Sequence, residues 1–176
     1  MSFKKHFMIS CSLLGFLGLS AHATPQIGDP APLFKIKTFE GKDFDLQSRK
    51  GKWTVLYFYP KAETPGCTKQ ACAFRDHIQK IRDEQADVFG ISVNTVQEQA
   101  GFHKNHHLNF TLLADPQGEV VKLYGTKMPV LKMSKRWTFI LDPDLKIRAI
   151  EKDVDPAKDA EKVAALISNL KQHHEP

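Results

Sequence analysis

Apolar and polar positions alternate along this chain in short runs whose period switches between that of a strand and that of a helix. Leu33 to Thr38 and Lys42 to Leu46 alternate on either side of Glu40-Gly41, which predicts a small hairpin. Trp53 to Tyr59 is an unbroken aromatic and β-branched run, the mark of a buried strand, and it must end near Pro60. Beyond Pro65 the positions Cys67, Phe74, Ile78 and Ile81 recur at helical spacing, so a helix is predicted with this face turned to the core. Val88 to Val93 predicts a second buried strand, and Val96 to His106 a helix with Ala100 on its inner side. Thr111 to Ala114 reads as a strand and Gly118 to Tyr124 as a short helix. Arg136 to Leu141 and Ile147 to Glu151 flank the turn signal Asp142-Pro143-Asp144 and predict an antiparallel pair. Asp155 to His173 closes the chain as a helix with Val163, Ala164, Ile167 and Leu170 on one apolar face. The order predicts an α/β fold with a mixed central sheet, helices on both faces and an amino-terminal β-hairpin.

The first 23 residues fall outside this pattern. Lys4, Lys5 and His6 give a positive start, Phe7 to Leu19 an apolar stretch too short to span a bilayer, and Ala21-His22-Ala23 a small-x-small site. Residues 1–23 are therefore predicted to be a signal peptide cleaved after Ala23, leaving 24–176 as a single domain in the periplasm or outside the cell, with no stable membrane association. Removing Lys4 and Lys5 lowers the formal charge of +5 by two, and the remaining lysines are scattered without interleaved aromatics, which argues against nucleic acid binding. No internal repeat or long linker suggests a second domain.

Cleavage would also remove Cys11 and leave two cysteines, Cys67 and Cys72. Thr64 fits the N-cap of the predicted helix and Pro65 its first position, so Cys67 becomes the third residue of the first turn. Free amides and the helix dipole favour an anion there, and a thiol so placed is a candidate nucleophile. Cys72 falls about 140° further round the helix, among Arg75, Asp76, Gln79 and Asp83, which predicts a solvent-facing position. In an intact helix the two Cα atoms would lie about 8 to 9 Å apart, beyond the roughly 7 Å that a disulfide spans. Paired cysteines in an exported protein ordinarily form structural disulfides. So short a loop, however, would gain only about 2 kcal/mol from closure. The pair suits a cycle between two conformations better than a staple.

The order of elements matches a thioredoxin-like fold with an amino-terminal addition, which by itself fixes no chemistry. The residues go further. Pro60-x-x-x-Thr64-x-x-Cys67 resembles the active-site motif of the peroxiredoxins, and Thr64-Pro65-Gly66-Cys67-Thr68 with Cys72 five residues on resembles the peroxiredoxin Q or bacterioferritin comigratory protein subfamily. Gly90-Ile91-Ser92-Val93, Leu112-Leu113-Ala114-Asp115, Tyr124-Gly125 and Arg136-x-Thr138-Phe139-Ile140 extend the likeness over most of the chain. The resemblance implies a thiol peroxidase that reduces hydrogen peroxide and organic hydroperoxides without a cofactor or metal. It makes Cys67 the peroxidatic cysteine, which becomes a sulfenic acid, and Cys72 the resolving cysteine, which closes an intramolecular disulfide. A thioredoxin-like or other dithiol donor then restores the thiols. Thr64 would direct its hydroxyl at the peroxide as well as cap the helix, Pro60 would shield the thiolate, and Arg136 and the amides of Gly66 and Cys67 would stabilise charge. With no intermolecular cysteine needed, a monomer is expected. The segment Thr126 to Lys135 is shorter than in many such proteins, and Trp137 stands where a small residue is common; both bear on peroxide preference and donor docking.

Two other readings compete. His103 and His107 are four apart on a predicted helix, with His106 beside them, but no nearby Cys, Asp or Glu completes a metal site, so a polar helix face is the simpler meaning. An exported thioredoxin-like copper chaperone typically has three residues between its cysteines, whereas this chain has four and would leave Pro60 and Thr64 without a role. A thiol-disulfide oxidoreductase would carry Cys-x-x-Cys, which is absent here.

Overall fold

The computed structural model describes residues 24–172, so the predicted leader, Cys11 and the His173-His174 tail lie outside the described residues. Among the described residues seven strands form one sheet: β1 (Lys35–Thr38), β2 (Asp43–Asp45), β3 (Trp53–Phe58), β4 (Ala86–Ser92), β5 (Thr111–Ala114), β6 (Trp137–Leu141) and β7 (Ile147–Glu151). Their spatial order is β2-β1-β5-β4-β3-β6-β7. β3, β4 and β5 run parallel in the centre, while the amino-terminal hairpin and the β6–β7 hairpin flank them antiparallel. This is the mixed sheet of a thioredoxin-like fold. Among the described residues four α-helices accompany it, α1 (Pro65–Asp83), α2 (Val96–Asn105), α3 (Glu119–Leu123) and α4 (Asp159–Gln172), with a 3-10 turn at Leu46–Arg49.

Every residue of β3 is buried, because the sheet carries a core on each face. Val55, Tyr57 and Tyr59 point one way, into a cluster with Phe74, Ile78 and Ile81 of α1, Phe102 of α2 and Val163 and Ile167 of α4. Leu56 and Phe58 point the other way, into a cluster with Phe34, Phe44, Val120, Val121 and Phe139. The alternation follows from the two-residue period of a strand. The result places α1, α2 and α4 on one face and the short α3 with the amino-terminal segment on the other.

Three details depart from the sequence-based expectation. Gln99 and Phe102, rather than Ala100, form the buried face of α2. Gln99 can go inward because its amide donates to Ser92 Oγ (3.0 Å) and Leu113 O (2.9 Å) and accepts from the Tyr59 hydroxyl, so a polar group is satisfied where an apolar one was expected. α2 ends at Asn105, which puts His107 beyond the helix with a left-handed φ of 49°, so it does not share a helix face with His103. Finally, α4 starts at Asp159 instead of Asp155, after a turn in which Asp155 Oδ1 accepts from Ala157 N at 2.9 Å.

Candidate active site

The sheet holds the chain up to Pro60, since Tyr59 N still donates to Ile91 O at 3.1 Å past the end of β3. A turn then swings the backbone into α1, with Glu63 in a left-handed conformation at φ 63°. That uncommon geometry is held by its side chain: Glu63 pairs with His106 Nε2 at 2.8 Å and accepts from Asn105 Nδ2 at 3.0 Å. The His106 hydrogen bond, then that of Asn105, keeps the Glu63 carboxyl below the usual glutamate range. Ala62 N donates to Asn94 Oδ1 at 2.9 Å, so the end of β4 and the end of α2 both anchor this turn.

Thr64 occupies the N-cap with extended φ and ψ of −85° and 148°, and Pro65 follows at the first helical position, as the sequence predicts. Its hydroxyl, however, makes no capping bond; it donates to Lys61 O at 3.0 Å. The hydroxyl therefore satisfies the preceding turn, not the helix. Pro60 and Thr64 are both half-buried.

Cys67 is 1% exposed and sits in the first turn with Phe74, Ile78 and Ile81 on its face. Arg136, the residue immediately before β6, donates from Nη2 to Cys67 Sγ at 3.4 Å and from Nη1 to Gln70 Oε1 at 2.6 Å. Gly66 makes room for this: a Cβ there would come within 3.2 Å of Arg136 Nη2. The guanidinium thus lies against the first turn and adds a fixed positive charge to the anion-favouring amides at the helix start. Such a site can hold a thiolate and the negative charge that leaves when a thiolate attacks an electrophilic oxygen.

A layer beneath Arg136 was not foreseen from the sequence. Gln70 is fully buried, and its Nε2 donates to Asp159 Oδ2 at 2.7 Å. The Thr138 hydroxyl donates to the same oxygen at 2.8 Å. Asp159, the first residue of α4, is 3% exposed, and burial pushes its carboxyl up, against the two hydrogen bonds that pull it down. Gln70 could have been suspected from its spacing of three from Cys67 on an otherwise apolar stripe. Asp159 carries no sequence signal beyond an acid at a helix start. Below the cysteine, Tyr57 stacks between Phe74 (4.6 Å, 21°) and Tyr59 (5.4 Å, 27°), and burial pushes both phenols up, so they stay neutral beside Cys67.

Cys72 is half-buried, less open than the predicted solvent face, and both thiols are free on an unbroken α1. The Thr126 to Lys135 loop is closed by the Lys127–Ser134 bridge, lines a 290 Å³ cavity with Val93 and Val121, and meets the cysteine through Arg136 at its end. Trp137 lies under Lys135 and Lys152, whose Nζ atoms stand 4.9 and 4.6 Å from its ring. His103 stacks on Phe39 at 3.9 Å while His106 bonds Glu63, so the histidines turn to separate partners. Among the described residues, no three His, Cys, Asp or Glu side chains cluster as metal ligands, and no helix is long and apolar enough to cross a membrane.

Comparison with known proteins gives a consistent picture. The profile of the AhpC/TSA family matches residues 27–150. Chloroplastic peroxiredoxin Q of Sedum lineare is 38% identical over 146 residues, covering 82% of this chain and 78% of its own. Among solved structures, peroxidoxin BcpB of Mycobacterium tuberculosis superposes with a TM-score of 0.77 at 33% identity, over 82% of this chain and 97% of its own. Peroxiredoxin Q of Xanthomonas campestris superposes with a TM-score of 0.73 at 25% identity, over 77% and 90%.

Proposed function

The chain belongs to the AhpC/TSA family and is an enzyme of its peroxiredoxin Q type, a thiol-dependent peroxidase; from that premise we propose that Cys67 is the peroxidatic and Cys72 the resolving cysteine of an intramolecular cycle. The Cys67 thiolate attacks one oxygen of hydrogen peroxide or an organic hydroperoxide. The S–O bond forms as the O–O bond breaks, and the departing oxygen leaves with a proton as water or alcohol. Cys72 then attacks the sulfenic sulfur, the S–S bond forms as the S–O bond breaks, and water leaves. An external dithiol regenerates both thiols by exchange.

The observation that carries this reading is the Arg136 guanidinium, 3.4 Å from Cys67 Sγ at the start of α1. A cation fixed there favours the attacking thiolate and then the negative charge on the leaving oxygen, without reorganising as the charge moves. Thr64 is assigned the peroxide oxygen, which its hydroxyl would meet by releasing Lys61 O. Pro60 shields the sulfur from water. The copper-chaperone reading gains no support, since Cys67 is buried against a cation rather than aimed with Cys72 at a shared ion.

In the test, Cys67→Ser abolishes peroxide turnover. Cys72→Ser still reduces one equivalent and leaves a trappable sulfenic acid. After one equivalent of peroxide, the wild-type monomer loses about two mass units, as a disulfide within one chain requires. Residual turnover in Cys67→Ser, or a linked dimer, overturns the assignment. The reading also places the enzyme outside the cytoplasm as a monomer, so protein recovered from the exported fraction should begin at Thr24 and sediment as one chain.

A further inference from the structure

We propose that Asp159 is a positioning residue: through Gln70 it holds both the Arg136 guanidinium and the catalytic turn of α1, and so divides the cycle between peroxide attack and resolution. The inference rests on the roles of Cys67 and Cys72 proposed above. A carboxylate oxygen accepts, so Asp159 Oδ2 takes the NH₂ side of the Gln70 amide at 2.7 Å and leaves Oε1 facing Arg136 Nη1 at 2.6 Å. Flipping the amide would set NH₂ against guanidinium and oxygen against carboxylate, two contacts without a hydrogen bond. The Thr138 hydroxyl, at 2.8 Å from the same oxygen, fixes Asp159 to β6 beside Arg136. Asp159 and both donors to this oxygen, Gln70 and Thr138, are buried, so water does not substitute readily for either bond.

Gln70 lies between Cys67 and Cys72, within the stretch of α1 that must unwind before the two sulfurs can meet. Unwinding therefore carries Gln70 away from Asp159 and Arg136 and breaks both bonds. While they are intact, Arg136 stays on Cys67 and the site is set for attack. When they are lost, the turn is released toward Cys72. One carboxylate on α4 thus favours the first step and restrains the second.

The two steps are separable by stopped-flow fluorescence, where oxidation of Cys67 depends on peroxide concentration and disulfide closure does not. Asp159→Leu should slow the peroxide-dependent phase about tenfold and speed the peroxide-independent phase about tenfold, each equivalent to ~1.4 kcal/mol. It should also form less sulfinic acid at high peroxide, because resolution outpaces a second oxidation. Asp159→Asn, which keeps an acceptor oxygen for both donors, should recover most of both changes. If Asp159→Leu does not fold, Gln70→Met removes the same link from its other end and should move the two rates in the same opposite directions. Rates that fall together, rates that stay within twofold of wild type, or an Asp159→Asn no better than Asp159→Leu overturn the proposal. Failure of the underlying reading looks different: wild type would then lack two phases, or Cys67→Ser would keep turning over.

Discussion

Replacing Gly66 with alanine tests the Arg136–Cys67 contact separately from stability. Gly66 is the second residue of α1 and has ordinary helical geometry, so alanine meets no backbone strain and is the better helix former by up to about 1 kcal/mol. The added Cβ, however, would stand 3.2 Å from Arg136 Nη2 and 3.9 Å from its Cζ. Favourable heavy-atom contacts lie nearer 3.5 to 4.0 Å, so the guanidinium must shift by roughly a few tenths of an ångström. Because Nη1 is held by Gln70 Oε1 at 2.6 Å, the shift is a pivot of Nη2 away from Sγ. A hydrogen bond to a charged group is worth about 1.5–3 kcal/mol, and losing a third to a half of it removes about 0.5–1.5 kcal/mol. That corresponds to a fall of about 2- to 13-fold in kcat/KM for peroxide. The assay is the second-order rate of Cys67 oxidation by hydrogen peroxide, measured alongside the Tm. The Tm should hold or rise by up to about 4 °C while the rate falls. An unchanged rate, in a protein where Arg136→Met still loses about tenfold, would refute the argument that Gly66 exists to admit the guanidinium.

Gly90→Ala would place a Cβ 2.6 Å from the Tyr57 ring, which is wedged between Phe74 and Tyr59, so overpacking should cost about 1–3 kcal/mol and lower the Tm by roughly 2–12 °C; a melt within 1 °C of wild type, read by calorimetry, contradicts it. Thr95→Ala removes the capping box in which Thr95 Oγ1 accepts from Glu98 N at 3.2 Å and Glu98 Oε2 accepts from Thr95 N at 2.7 Å, and thermal melting should show a loss of about 1 kcal/mol, or about 2–4 °C. Asp159, whose carboxyl is raised by burial, binds its proton more tightly folded than unfolded, so its effect on wild-type stability is most favourable below the ordinary value of about 3.9 and declines as pH rises to the raised folded value. Asp159→Asn lacks this titration, and its Tm relative to wild type should climb across that window and then level off; a difference independent of pH is the contrary result.

The elements that the sequence displays plainly are those governed by a single local period. β3 and the Asp142-Pro143-Asp144 turn fall where apolar runs and turn chemistry place them, and the Thr64-Pro65 start of α1 follows from capping preference alone. The inward face of Cys67 with Phe74, Ile78 and Ile81 is likewise a matter of helical spacing. What period cannot express is a polar side chain buried because a partner far along the chain satisfies it. Gln99 went inward against expectation because Ser92 and Leu113 receive it. Gln70 and Asp159 are 89 residues apart, and neither looks buried until β6 brings Thr138 and Arg136 alongside. The Thr64 hydroxyl shows the converse: its capping preference is real, but Lys61 O in the preceding turn takes the bond.

The two long-range anchors also explain why α1 begins as it does. α2 starts with a complete capping box, and such an end is held by bonds local to the helix. α1 has no side-chain cap, no acid in its first turn, Pro65 at its first position and Gly66 at its second, a start with little stability of its own. Its first turns are held from outside, by Arg136 on Cys67 and Gln70 and by Asp159 on Gln70, while Glu63 ties the preceding turn to α2. A helix end fastened by its own cap would oppose the unwinding that the proposed disulfide needs on every cycle, whatever the state of the sulfur. An end fastened through the residues that also contact the Cys67 sulfur releases when those contacts change, and in the proposed cycle oxidation of Cys67 alters the very atom that Arg136 Nη2 contacts. Gly66→Ala should therefore act twice, loosening Arg136 from the sulfur and stiffening the turn, so that peroxide attack and disulfide closure both slow; Asp159→Leu should slow the first and speed the second. That opposite response separates a stronger helix from a weaker anchor.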